Sequence, residues 1–148
     1  MSESLVTIEL RQQQDYAFDV RFGGTVPPLR TDEPAPLGAG TGPSPVQLLC
    51  AAVGNCLSDS LLFALRKFKQ NPDPLRCTVQ AQIGRNPEGR LRVLAIEATL
   101  HLGVPAASLA HLDRVLDQFE AFCTVTQSVG QGIAITTRVL DAEGAVLK

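Results

Sequence analysis

The sequence predicts an α+β domain, on three observations. Period-two alternation of apolar and polar residues marks strands near both ends and in the middle of the chain. Two runs, one from Ser44 and one from Pro105, carry apolar residues at helical spacing instead. Strands and helices come in clusters, in the order β-β-(β)-α-β-β-α-α-β, rather than in the strict β-α-β alternation of a parallel α/β sheet. With 148 residues, 45% of them hydrophobic, the chain is one ordinary domain with material for a packed core, expected to span 1–148 without a dividing linker.

Leu5 to Arg11 alternates and predicts a strand, with a polar turn over Gln12–Asp15. Tyr16, Phe18, Val20 and Phe22 alternate with Ala17, Asp19 and Arg21, a stronger strand signal. Gly23-Gly24 suits a hairpin turn, after which Thr25–Arg30 can pair back. Thr31–Ser44, rich in proline and glycine, has no periodicity and predicts a long connection, either functional or a surface linker.

The main helix opens at Ser44. Serine as cap, Pro45 at the first helical position and Gln47 three residues on have the form of a capping box. Apolar residues recur from Leu48 to Phe68, and Asn71-Pro72 ends the run. About 25 residues give a helix of roughly 37 Å, long enough to imply packing on a second subunit. Arg66-Lys67-Phe68-Lys69 lies at its C-terminus, where cations complement the macrodipole. Cys77, Val79, Ala81 and Ile83 alternate in a strand, Asn86–Gly89 turns, and Leu91–Leu102 returns with Leu94, Ile96, Ala98, Leu100 and Leu102 on the buried face. Pro105 opens a second helix with its apolar stripe from Leu109 to Phe122, and a short helical piece follows over Thr124–Val129. Ile133, Ile135, Thr137 and Val139 form the last strand.

Net charge is -2 and no basic block exists, so nucleic-acid binding has no electrostatic support. No leader is visible and no stretch reads as apolar enough to span a bilayer, so the cytoplasm is the expected location and no membrane partner is expected. Four cysteines in a reducing compartment read as free or catalytic thiols. With no C-x-x-C pair and no ligand spacing for His101 or His111, no metal or other cofactor is expected.

Two of the cysteines are candidates for chemistry. Cys56 lies on the helix stripe of Leu49, Ala52, Val53 and Ser60, with small neighbours that admit another element. Cys123 lies where one helical run ends and the next begins. Two thiols that meet can do redox chemistry, one attacking and one resolving. Each is equally readable as a small packed hydrophobe. Cys50, rotated by about 240° from Cys56 on the helix, and Cys77, at a strand start, read as structural. A thiolate needs a cation or hydrogen-bond donor; Arg11, Arg21 and Arg30 are available, and Asp59, Asp32 and Glu33 are the nearest carboxylates.

Thr31–Gly38 (TDEPAPLG), Gly42–Leu57 (GPSPVQLLCAAVGNCL) and Phe122–Val129 (FCTVTQSV), with the element order, resemble the OsmC/Ohr family, the osmotically inducible protein C and organic hydroperoxide resistance proteins. The resemblance implies antiparallel sheets wrapped around two long central cysteine-bearing helices in an intertwined homodimer. It implies that Cys56 attacks an organic hydroperoxide, that Cys123 resolves the sulfenic acid as a disulfide, and that an external dithiol reduces it. Leu49, Val53, Phe119 and Phe122 would line the substrate pocket. Peroxidase members carry a glutamate early in the first helix that pairs with an arginine of the N-terminal sheet. Here Val46 stands at that position, and Gln47 stands where related branches carry glutamate. Arg11 and Arg21 are the two candidates for that arginine, and Thr124 replaces the usual proline. The alternative is a redox-weak family member that binds a small apolar or electrophilic ligand in the dimer cleft.

Overall fold

The computed structural model describes residues 2–148 in two compact units, one ending at Leu48 and one spanning Leu49–Lys148. In the first, β1 (Glu9–Gln14), β2 (Ala17–Arg21) and β3 (Leu29–Thr31) form an antiparallel sheet in that order. Leu10 pairs with Val20, and Phe18 with Thr31. The strand predicted from Leu5 begins only at Glu9, and the turn narrows to Asp15-Tyr16, with Asp15 at φ 50°.

The connection after β3 is a folded loop built on one carboxylate. Asp32 is buried and accepts from the backbone N–H groups of Glu33 (2.8 Å), Ala39 (3.2 Å) and Thr41 (3.1 Å), and from the Thr41 hydroxyl (2.8 Å). These donors, Thr41's N–H foremost, hold its carboxyl below the usual range. Gly42 is required because a Cβ there would lie 2.1 Å from the Arg30 carbonyl oxygen. The capping box forms as expected: Gln47 Oε1 accepts from Ser44 N–H at 2.9 Å, and Ser44 Oγ accepts from Gln47 N–H at 3.3 Å.

α1 runs over Pro45–Lys67. In the second unit its stripe of Val53, Leu57, Leu61 and Leu65 is fully buried against Ile96, Ala98, Leu100 and Val139 of the sheet. Gly54 sets the approach: a Cβ there would lie 2.6 Å from Val79 Cγ2, so only glycine lets the helix meet β4 this closely. Exposed apolar positions also remain on α1, among them Phe63 at 72%. An 18-residue window of the helix has mean hydropathy 1.7. By length and composition it is therefore apolar enough to cross a membrane, which corrects the expectation that no stretch is.

The second sheet has the order β4 (Arg76–Arg85), β5 (Leu91–His101), β6 (Ala134–Leu140). β4 and β5 form the expected antiparallel hairpin, with Ile96, Ala98, Leu100 and Leu102 buried. Leu94, at the outer end of the same parity, is exposed. β6 pairs parallel to β5, from Ala95↔Ala134 to His101↔Leu140. The sheet is thus mixed, not antiparallel throughout, because the chain between β5 and β6 crosses over through helical segments and re-enters at the same end.

The second long helix does not form. The stretch is a 3-10 turn (Ala106–Ser108), α2 (Leu112–Gln118), a second 3-10 turn (Phe119–Phe122) and α3 (Thr124–Val129). A tertiary bond takes a backbone donor that a continuous helix needs, Ala110 N–H to Gln70 Oε1 at 2.8 Å, while Ala106 N–H, a first-turn donor, goes to Asp141 Oδ2 at 2.9 Å. His111 then turns the chain at φ 60°. One long cysteine-bearing helix per chain remains.

Gly54→Ala gains about 1 kcal/mol of helix propensity but forces Val79 aside, an overpacking cost of ~1–3 kcal/mol. Urea denaturation is expected to show a net loss of about 1 kcal/mol. Combined with Val79→Ala, the pair is expected to be less destabilised than the sum of the single variants by about 1 kcal/mol.

Candidate functional site

The buried stripe of α1 fixes where Cys56 points. It falls one position before Leu57 and sits half-buried at the edge of the core, with exposed Asp59 one turn on. Cys123 arrives from the other direction. The 3-10 turn over Phe119–Phe122 buries Phe119 completely, and Cys123 follows in an extended conformation, φ -81° and ψ 98°, as the residue capping α3. Its N–H goes to the Glu120 carbonyl at 3.0 Å, and its own carbonyl accepts from Gln127 N–H at 3.0 Å. The sulfur is fully buried.

These two anchors bring the thiols together. Cys123 is near enough to Cys56 to act on its ionisation, and so is the Val125 backbone N–H. The Thr126 hydroxyl, itself buried, donates to Cys123 Sγ. No disulfide is formed and all four cysteines are free. In the fold the cap side chain makes no capping bond, and the Val125 donor serves Cys56. Thr126 was not singled out. Its only sequence signal was a hydroxyl one helical turn after Cys123.

The electrostatics favour the protonated form of Cys56. Burial is the largest cause and pushes the thiol up; the neighbouring Cys123 thiol and the charge of Asp59 push the same way. Only the Val125 N–H opposes them. No cation is among the groups acting on it.

The arginines belong to the first unit. Arg11, on β1, is exposed and paired with the Glu9 carboxylate. Arg21 closes β2 and is exposed. Arg30 pairs with Asp19 at 2.7 Å. Val46 is half-buried on the first turn of α1, and Gln47 is engaged in its cap. Of the residues expected to line a substrate pocket, Val53 and Phe119 are sealed in the core; Leu49 is half-buried and Phe122 is 76% exposed. Among the described residues no cluster of three or more His, Cys, Asp or Glu could hold a metal ion.

An OsmC-like protein family model matches residues 38–138. No curated protein matches the chain. Solved structures do, at low identity. A putative osmotic stress induced and detoxification response protein from Psychrobacter arcticus aligns with a TM-score of 0.77 at 17% identity, covering 93% of this chain and 98% of that one. An organic hydroperoxide resistance protein from Legionella pneumophila gives 0.70 at 15%, over 93% and 98%. One from Elizabethkingia anophelis gives 0.71 at 17%, over 93% and 98%. These likenesses show the fold.

A pH profile of Cys56 alkylation, read peptide by peptide by mass spectrometry, checks the electrostatics. Because the shift is upward, the thiolate fraction at neutral pH is below that of a free cysteine. The midpoint is expected above the ordinary thiol value, and Cys123→Ala is expected to move it down, since that change removes one of the raising causes.

Proposed function

Because this chain belongs to the OsmC-like protein family, we propose that it is a thiol-dependent reductase of organic hydroperoxides, with Cys56 attacking and Cys123 resolving. The observation that carries the reading is the nearness of the two thiols, Cys56 half-buried and Cys123 fully buried. The accessible sulfur attacks and the protected one resolves.

In the first step the Cys56 thiolate attacks the outer peroxide oxygen. The O–O bond breaks, sulfur becomes a sulfenic acid, and the leaving alkoxide takes a proton as alcohol. In the second step Cys123 sulfur attacks the sulfenic sulfur, the S–O bond breaks, and water leaves as the disulfide forms. An external dithiol then returns both cysteines to thiols and is itself oxidised to a disulfide. The Val125 N–H supports the Cys56 thiolate, and the Thr126 hydroxyl supports charge on Cys123 as it attacks. Activation of Cys56 calls for a cation, and Arg11 and Arg21 are the candidates the family resemblance offers. The protein works as a homodimer, a reading supported by exposed Phe63 on α1 and exposed Phe122 beside Cys123, apolar surface that a second copy would cover. Its place of action is the cytoplasm, where a dithiol reductant is at hand.

The raised Cys56 thiol favours a second reading, a redox-weak protein that holds a small apolar or electrophilic ligand in the dimer cleft. Treating the reduced protein with stoichiometric cumene hydroperoxide separates the two. The reductase is expected to lose two thiols, to accumulate a trappable sulfenic acid on Cys56 in Cys123→Ser, and to be inert in Cys56→Ser. A Cys56 that survives the treatment sinks the reductase reading.

Thr126→Val is expected to slow disulfide closure about tenfold, the worth of one hydrogen bond to a developing thiolate, while oxidation of Cys56 keeps its rate. Thr126→Ser is expected to restore closure. Stopped-flow consumption of peroxide alongside sulfenic-acid trapping reads the two steps apart.

A further inference from the structure

The other two cysteines also share a place. Cys50 on α1 and Cys77 on β4 line one cavity of about 440 Å³ with Gly54, Asn55, Ser58 and Val79. Gly54 is one helical turn after Cys50. Helix side chains tilt toward the N-terminus, so the space left by the missing Gly54 side chain opens toward Cys50. Cys77 Sγ occupies the border of that space, 3.4 Å from the point where a Gly54 Cβ would stand. Both sulfurs are half-buried free thiols, and the lining holds no carboxylate, lysine, arginine or histidine.

From this placement we infer that Cys50 and Cys77 form a second dithiol site, apart from the Cys56–Cys123 pair, which binds one soft divalent d10 cation between two thiolates. Softness follows from the donors, since sulfur selects thiophilic ions. The coordination number follows from the donors: beside the two thiols the cavity offers only the neutral oxygens of Asn55 and Ser58, poor ligands for a soft ion, so the four-ligand set of a structural zinc site is not formed. The charge follows from the lining. Two thiols bind the ion and release two protons, giving a neutral S–M–S unit and no change of oxidation state. A monovalent ion would leave a net negative charge with no cation beside it. The mercuric ion meets all three conditions. The two sulfurs come from a helix and a strand, so the bound ion would tie α1 to β4 at their closest approach.

The site is tested in the full-length Cys56→Ser/Cys123→Ser protein, which retains only this pair. Titration with mercuric chloride is expected to load one ion per chain and to remove both thiols from reaction with Ellman's reagent. Replacing Cys50 or Cys77 by serine in that background is expected to let glutathione strip the ion at a concentration about a hundredfold lower, the loss of a two-point attachment. Should serine at 77 disturb packing against Gly54, Cys77→Ala gives the same comparison, with circular dichroism confirming the fold. Two ions per chain, one on each thiol, would overturn the inference. So would one ion per two chains that persists in the Cys77 variants, because that result means a bridge between copies through Cys50.

Discussion

The close seating of α1 on β4 at Gly54 is the constraint from which the rest of the second unit follows. A side chain at 54 would strike Val79, so Val79 would have to move aside or the helix axis to lift. Lifting it would pull Val53, Leu57, Leu61 and Leu65 off Ile96, Ala98 and Leu100 and open the core. Glycine in a helix interior costs about 1 kcal/mol against alanine. Full burial of a single leucine offsets that, at about 1.5–3 kcal/mol, and the stripe contains three leucines and a valine.

The same seating decides which faces of the helix remain for chemistry. With one stripe committed to the sheet, Cys56 falls at its border, half in water and half against the core. Cys50 falls on another side, over the cavity shared with Cys77. Helix geometry puts Cys50 and Cys56 on different sides, and the packing of β4 and of the turn before α3 brings a second sulfur near each. The two pairs have different surroundings: one pair receives donors from Val125 and Thr126, and the other lies in an uncharged hollow.

The thiol pair at Cys56 and Cys123 is well placed and weakly charged for attack. Proximity is present, and proximity is what disulfide closure needs most. Ionisation is opposed by burial, by the second sulfur and by Asp59. A thiol peroxidase with this arrangement must import positive charge. The break at His111 and the short turns around it serve the other requirement, because a continuous helix from Pro105 to Phe122 would not leave Cys123 extended at the cap of α3.

Much of the fold was legible in the sequence, because its signals are local. Alternation marked the strands, Ser44-Pro45-Val46-Gln47 marked the start of α1, and the GPSPVQLLCAAVGNCL segment singled out Cys56 before any coordinates. The candidate site was legible only in its sulfurs. Thr126 and the Val125 N–H were not, since a hydroxyl or a backbone donor gains a role only when another element is brought to it. Nor was the fate of the second helical run. Its apolar spacing fits a helix, and helix propensity is a weak prior. Gln70, distant in sequence, took the Ala110 backbone donor instead. The parallel pairing of β6 has the same origin: alternation specifies which residues of a strand face the core, not which neighbour it joins or in which direction. The sequence by itself determined the elements, the buried stripe and the two candidate sulfurs. Only the tertiary structure decided which sulfur was sealed, which donors reached it and which thiols were paired, because those depend on contacts between residues that no local period connects.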